Sequence, residues 1–231
     1  MTRKAVTEVF CRTVFPHLSS NRNLTVAVVG AGSMEPELLA LKGLWSVQMA
    51  YFGIASSEAI EIQHLDLNVP GKSNAYPHFD LVLCSQVLEH VFDVPAAFSN
   101  LCELAKPGGL IWIGVPMSNF VHGSPEYYSA GYAPELMQKL AEREGQEVVA
   151  VGYLGSRREY LSRHLTGIWF TDKQIQHPIF SYFGCEGNLL VKFLHNIKLV
   201  PARIFLAATS NHQKMNRLDA TESWALIRTK I

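Results

Sequence analysis

The 231-residue chain has no excess of charge of either sign: twenty Lys and Arg balance twenty Asp and Glu. Without a basic excess its overall field does not steer it toward a phosphate backbone, so no nucleic-acid partner is expected. Cysteine is scarce. The four, at positions 11, 84, 102 and 185, show no CxxC spacing, so neither a redox dithiol nor a metal is expected, and they read as reduced core residues. A long apolar run is also missing: the most apolar late stretch, 188–209, is interrupted by Lys192, His195, Lys198, Pro201 and Arg203, which excludes a spanning helix there. The first fifteen residues alternate polar and apolar within a turn and lack the continuous apolar centre of a secretory signal, so a cytosolic chain is expected.

What is present is a core. Apolar residues make up 48% of the chain, enough to fill one domain of this length. Residues 79–116 organise it. Positions 79–84 are apolar apart from Asp80, as suits a strand buried on both faces. Asp93 can cap a following helix in which Pro95 sits near the start and Val94, Ala97, Phe98, Leu101 and Leu104 share a face. Lys106, Pro107, Gly108 and Gly109 are expected to stop it, and 110–115 reads as a second strand. Strand, helix and strand make a right-handed βαβ unit with parallel strands.

Around this unit the pattern predicts an amphipathic helix over 4–18, a strand over 24–29, a helix from Pro36 to Gly43, and strands over 46–53 and 61–67. No full helix fits between those last two strands. A helix over 133–143 and strands over 147–151 and 221–229 complete the set. The expected organisation is one domain: an N-terminal helix in 1–23, a core over 24–153, an insertion or lid over 154–220 and a last strand over 221–231.

The strand at 24–29 runs into Gly30-Ala31-Gly32 and then a helix. Strand, glycine turn and helix can seat a nucleotide against bare backbone, or can simply make a tight turn. A dinucleotide fingerprint would need glycine at position 35, where the chain has Glu35, whose charge opposes a pyrophosphate on the helix end. A nicotinamide or flavin dinucleotide is therefore not expected.

VAVVGAG at 26–32, HLDLN at 64–68, FDLVLCSQVLEHV at 79–91, LAKPGGLIWIGVP at 104–116 and the segment 125–145 together resemble the class I S-adenosylmethionine-dependent methyltransferases. The resemblance is strongest to the compact branch associated with sugar, lipopolysaccharide and natural-product biosynthesis. It implies a Rossmann-like α/β fold with a seven-stranded sheet, mostly parallel with an antiparallel last strand, helices on both faces and cofactor at the carboxyl ends of the first strands. Carried over by residue, Gly30, Ala31 and Gly32 would lie against the methionine part of S-adenosylmethionine. Asp66 and Leu67 would face the adenine, with Asp66 accepting its amino group. Ser85, Gln86 and Val87 would line the pocket near the sulfonium. The sequence departs from the family pattern at Val28, where an acid is usual, at Met34, where a third glycine is usual, and at Ala55, where a carboxylate would hold both ribose hydroxyls.

Methyl transfer is a direct displacement, so alignment supplies much of the rate and a base is needed only if the acceptor must lose a proton. His90, His122 and Tyr128 are the expected catalytic candidates, with Glu126, Tyr127 and Tyr132 beside them; the tyrosines equally read as packing for their loop, and His90 as a structural anchor. Arg157, Arg158, Tyr160, Arg163 and His164 can hold an anionic acceptor or form a solvated helix face. The stretch 188–209 reads as a lid, a homodimer helix or a helix lying on a membrane surface. The function expected from the resemblance is methylation, at oxygen, of a small or saccharide-linked acceptor. The rival reading is a methyltransferase-like binding or scaffold protein that has lost its cofactor.

Overall fold

The computed structural model describes residues 2–18, 23–30, 36–43, 46–54, 61–118, 126–155, 169–170, 175–176 and 220–230. The chain divides into two compact units, Arg3–Tyr153 with Glu222–Ile231, and Leu154–Thr221 with Met1–Thr2. In the smaller unit, Trp169–Phe170 pairs antiparallel with Ile175–Gln176, and the Thr221 N–H donates to the Leu154 carbonyl at 2.9 Å. The larger unit carries the sheet.

Its elements are α1 (Thr2–Val14), β1 (Asn23–Val29), α2 (Pro36–Lys42), β2 (Ser46–Gly53), β3 (Ile62–His64), β4 (Phe79–Ser85), α3 (Val94–Leu104), β5 (Ala105–Pro116), α4 (Pro134–Arg143), β6 (Glu147–Leu154) and β7 (Glu222–Arg228). The seven strands lie in the order β3-β2-β1-β4-β5-β7-β6. The first five run parallel, and β7 is antiparallel to β5. The order reverses between β1 and β4, the place where open α/β sheets receive ligands at their carboxyl ends.

Alternation along the strands sends two sets of side chains to opposite faces. Ala27, Val29, Val82, Cys84, Ile111, Ile113 and Val115 meet Ala97, Phe98 and Leu101 of α3 and Met137, Leu140 and Ala141 of α4 in one core. On the other face Trp112 lies edge-on to Phe10 of α1, with ring centroids 5.3 Å apart, and stacks on Trp224 of β7. Helices therefore cover both faces.

The cap of α3 forms as the sequence predicts: the Asp93 carboxylate accepts the Ala96 N–H at 3.0 Å. All five residues of its apolar face are buried. Burying each of its Leu and Phe side chains contributes about 1.5–3 kcal/mol. Several expected boundaries move: the first helix is α-helical only to Val14, and β6 runs past 151 to Leu154. Lys106 to Gly109 do not form a loop but belong to β5, which starts directly after α3 with a register shift between Phe79 and Leu81. The third strand is shorter than 61–67 and ends at His64, because Asp66 turns its carboxylate onto the Asn68 N–H and draws the chain out of the ladder. Cys102, expected in the core, is only half-buried, whereas Cys84 is fully enclosed.

The parallel strands are stapled at their starting ends. The Asp80 carboxylate accepts from the Thr25 N–H at 2.9 Å and hydroxyl at 2.6 Å, and from Lys106 at 2.8 Å, joining β1, β4 and β5. Burial alone would raise the Asp80 pKa, but hydrogen bonds from Lys106 and Thr25, with the lysine's charge, hold it below its ordinary value.

Candidate functional site

The strand ends opposite that staple bring Gly30, Gly53 and Gln86 close together. The Gly30 N–H donates to the Phe52 carbonyl at 2.7 Å, and the Gln86 N–H to the Gly114 carbonyl at 2.8 Å. Gly30 has φ +73°, and a Cβ there would stand 2.5 Å from Val87 Cγ2. The glycine is required by its backbone angle and by the valine packed over it. Gln86 has φ +57°, the one non-glycine with positive φ among the described residues. Such a conformation costs about 1–3 kcal/mol and concentrates at functional turns.

After β3 the chain places Asp66, half-buried, where its Oδ1 accepts from the Asn68 N–H at 2.9 Å and from Asn68 Nδ2 at 3.0 Å. Asp66 Oδ2 has no partner among the described residues. Leu67 does not face outward: its side chain is 5% exposed and belongs to the core, which leaves only its main chain for a ligand. Asn100 of α3, fully buried, ties this loop down by donating to the Leu67 and Val69 carbonyls at 3.0 Å each.

The turn after β4 is linked to the segment after β5. Leu88–His90 forms a short 3-10 turn distinct from α3, and the Glu89 carbonyl accepts the N–H groups of Tyr128, at 2.8 Å, and Ser129, at 3.3 Å. The Glu89 side chain is fully buried. His90 Nδ1 bonds the Glu126 carbonyl, which can only accept, so Nδ1 carries the proton and Nε2 is the basic nitrogen. The His90 ring lies 5.7 Å from that of Tyr127. Burial, with lesser contributions from Glu89 and Tyr132, raises the Tyr127 pKa, so its phenol is a donor at neutral pH. Tyr128 is 53% exposed and its ring lies 5.8 Å from Phe92, which is 77% exposed. These two rings form an open aromatic lip.

Of the residues expected at the site, Gly30, Asp66, Ser85, Gln86, Val87, His90 and Tyr128 lie at the carboxyl edge of the sheet or in the turns that leave it. Ala31, Gly32, Met34, Glu35, Ala55 and His122 lie outside the described residues, as do Arg157, Arg158, Tyr160, Arg163, His164 and 188–209. Val28 is fully buried between Tyr51 and Leu83 in register. Two residues of the site escape the sequence reading. Asn68 could have been found from its Asp-x-Asn spacing, a turn signature; Phe92 has no local signal, since apolar residues are commonplace before a helix.

A profile of the methyltransferase domain matches residues 21–176. The chain belongs to that methyltransferase family. Among curated relatives, the ubiquinone biosynthesis O-methyltransferase of Yersinia pestis (strain Pestoides F) is 24% identical over 144 residues, 61% of this chain and 57% of that protein. The chain thus spans little more than half the length of that relative. A SAM-dependent methyltransferase from Archaeoglobus fulgidus shares the fold at 14% identity, with a TM-score of 0.54 over 98% of this chain and 94% of that one. The cyclase SpnF also shares it, at 13% identity and a TM-score of 0.56, over 98% and 80%. S-adenosylmethionine is the cofactor of the methyltransferase family. The residues described at the strand ends fit it: a bare glycine backbone after β1, a strained turn after β4, and a carboxylate with one oxygen held and the other available. Among the described residues no group of three or more His, Cys, Asp or Glu is placed to hold a metal, and no helix is long and apolar enough to cross a membrane.

Proposed function

We propose that the protein is a cytosolic methyltransferase that methylates an oxygen of a small or saccharide-linked acceptor. The observation that carries this reading is Asp66: a half-buried carboxylate just beyond β3, at the carboxyl edge of the sheet, with one oxygen pinned by Asn68 and the other left to accept from an adenine amine. Gly30 would lie against the methionine part, with Ala31 and Gly32 continuing the turn, while Ser85, Gln86 and Val87 would border the sulfonium. When bound, S-adenosylmethionine supplies an electrophilic methyl on a sulfonium.

The chain's own residues supply alignment and proton removal. Tyr128 and Phe92 offer ring faces on which an apolar ring or the C–H face of a sugar can stack. Tyr127, kept protonated, can donate to an acceptor oxygen. His90, with its tautomer fixed by the Glu126 carbonyl, is suited to take a proton at Nε2, and His122 and Tyr128 are the other candidates. Agreement with curated O-methyltransferases supports oxygen as the acceptor atom.

Calorimetric titration with S-adenosylmethionine and S-adenosylhomocysteine tests the reading. The natural chain is expected to bind, and Asp66→Ala to bind about ten- to a hundredfold more weakly, the worth of a charged hydrogen bond. No binding by the natural chain, with binding gained in Ala55→Asp, would refute an active methyltransferase and leave the fold that has lost its cofactor.

A further inference from the structure

We propose that Asn68 is a positioning residue for adenine recognition, setting the Asp66 carboxylate from the start of α3. This rests on the reading above that Asp66 meets the cofactor's exocyclic amine. The Asn68 amide is held at both ends: Nδ2 donates to Asp66 Oδ1 at 3.0 Å, and its Oδ1 accepts the Phe92 N–H at 2.8 Å and the Asp93 N–H at 2.9 Å. Main-chain N–H groups only donate and an ionised carboxylate only accepts, so these partners dictate which way the amide points.

The far end of this link is firm. Asp93 caps α3, and that helix is locked into the core by its buried face. The near end is the carboxylate, whose Oδ1 already takes two donors, the Asn68 side chain and its main-chain N–H. Rotation of the carboxylate is thereby opposed, and Oδ2 is presented for a donor. A group set in place before the ligand arrives loses less freedom on binding. The selectivity that follows is specific to chemistry at one atom. A 6-amino purine donates to Oδ2, whereas a 6-oxo purine presents an oxygen to a carboxylate and is repelled. Asn68 contributes to that choice without touching the ligand.

The experiment measures dissociation constants of S-adenosylhomocysteine and S-inosylhomocysteine for the natural chain, Asn68→Asp and Asn68→Ala, with thermal unfolding of each. Asn68→Asp retains an acceptor for the Phe92 and Asp93 N–H groups, but it removes the donor and sets a second negative charge beside Asp66. Asn68→Ala supplies the same comparison if the aspartate variant does not fold. The natural chain is expected to prefer the adenosyl ligand by about tenfold or more. In either variant the preference should fall to within about threefold, through weaker adenosyl binding. A variant that binds both ligands more weakly by one common factor, with the preference unchanged, would overturn the proposal while leaving the Asp66 reading in place. A natural chain that binds both ligands equally, or neither, would overturn the Asp66 reading and this proposal with it.

Discussion

Replacing Asn100 with alanine should unfold the loop that carries Asp66 before it unfolds anything else. Asn100 is fully buried on α3, and its Nδ2 donates to the Leu67 and Val69 carbonyls at 3.0 Å each. Its Oδ1 accepts from the Ser73 N–H at 3.4 Å and hydroxyl at 3.2 Å. The last two are long and contribute little; the first two decide the magnitude. Each lost bond costs about 1 kcal/mol, and the carbonyl of buried Leu67, left without a partner, adds about 1–3 kcal/mol. The Val69 carbonyl adds less, because Val69 is 38% exposed and water can reach it. The sum is about 3–5 kcal/mol, which for a chain of this size lowers the unfolding midpoint by about 6–20 °C. Chemical denaturation followed by tryptophan fluorescence measures it, and titration with S-adenosylhomocysteine reports on the loop. Asn100→Asp should be no better, since its carboxylate would face the same two carbonyls. A loss below about 1 kcal/mol in Asn100→Ala would refute the reasoning, since a single ordinary hydrogen bond is worth that much.

Gly30→Ala should destabilise the chain by about 1–3 kcal/mol through positive φ and the contact with Val87, and adding Val87→Ala should restore only part of the loss, because the backbone strain remains; urea unfolding of the single and double variants separates the two. The Asp80 staple should give an acid dependence. A carboxyl with its folded pKa held below the unfolded value stabilises above the unfolded value and loses that contribution as pH falls through the folded one. Asp80 is 34% exposed at its side chain, so screening limits the electrostatic part to about 1 kcal/mol, and the unfolding midpoints of the natural chain and Asp80→Asn should converge on acidification. Cys84 should resist alkylation in the native protein near pH 8, because burial raises its thiol and the charge of Glu89 adds to the effect; rapid labelling, read by peptide mass spectrometry, would contradict its enclosure. His90→Asn keeps a donor near the Nδ1 position and should retain the acceptor loop, whereas His90→Ala should raise KM for the acceptor; equal kinetics in the two would remove the loop contact as the reason.

The fold was legible because its signals are local and agree with one another. Near-continuous apolar runs, an aspartate cap with a proline in the first turn, and a buried stripe on α3 are each set by neighbours in sequence. The errors fall where a distant partner, or a side chain bonding its own main chain, decides. Gly108 and Gly109 look like a loop, yet their main chains pair with Thr229 across the sheet, at 3.0 Å each, so the segment is strand. Asp66 seems to end a strand of seven residues, but its own side chain closes a turn that cuts the strand to three. The site was legible in its main-chain positions, Gly30 and Ser85 to Val87, because a parallel strand leading into a turn can be read from sequence. Its side-chain contacts were not: that Asn68 meets Phe92, or that His90 reaches the Glu126 carbonyl across 36 positions, is fixed only when the strands are in register.

Part of what makes the family resemblance recognisable does not lie where the chemistry is proposed. Asp80 of FDLV and Lys106 of KPGG meet Thr25 at the starting ends of β1, β4 and β5, opposite the edge that carries Asp66 and Gln86. They hold three parallel strands together, and any ligand at the other edge is compatible with that task. The motif therefore vouches for the scaffold, and a cyclase on the same fold is consistent with this division. The proposed activity draws on a different set of groups, with Asp66 and its Asn68 support on one side and His90, Tyr127 and Tyr128 on the other. Substitutions at the two ends should thus separate cleanly. Asp80→Asn should lower stability with cofactor affinity retained, and Asp66→Ala should lower cofactor affinity with the staple intact. An Asp80 variant that keeps its stability but loses cofactor affinity would mean the staple reaches through the strands to the site, and the division between scaffold and chemistry would fail.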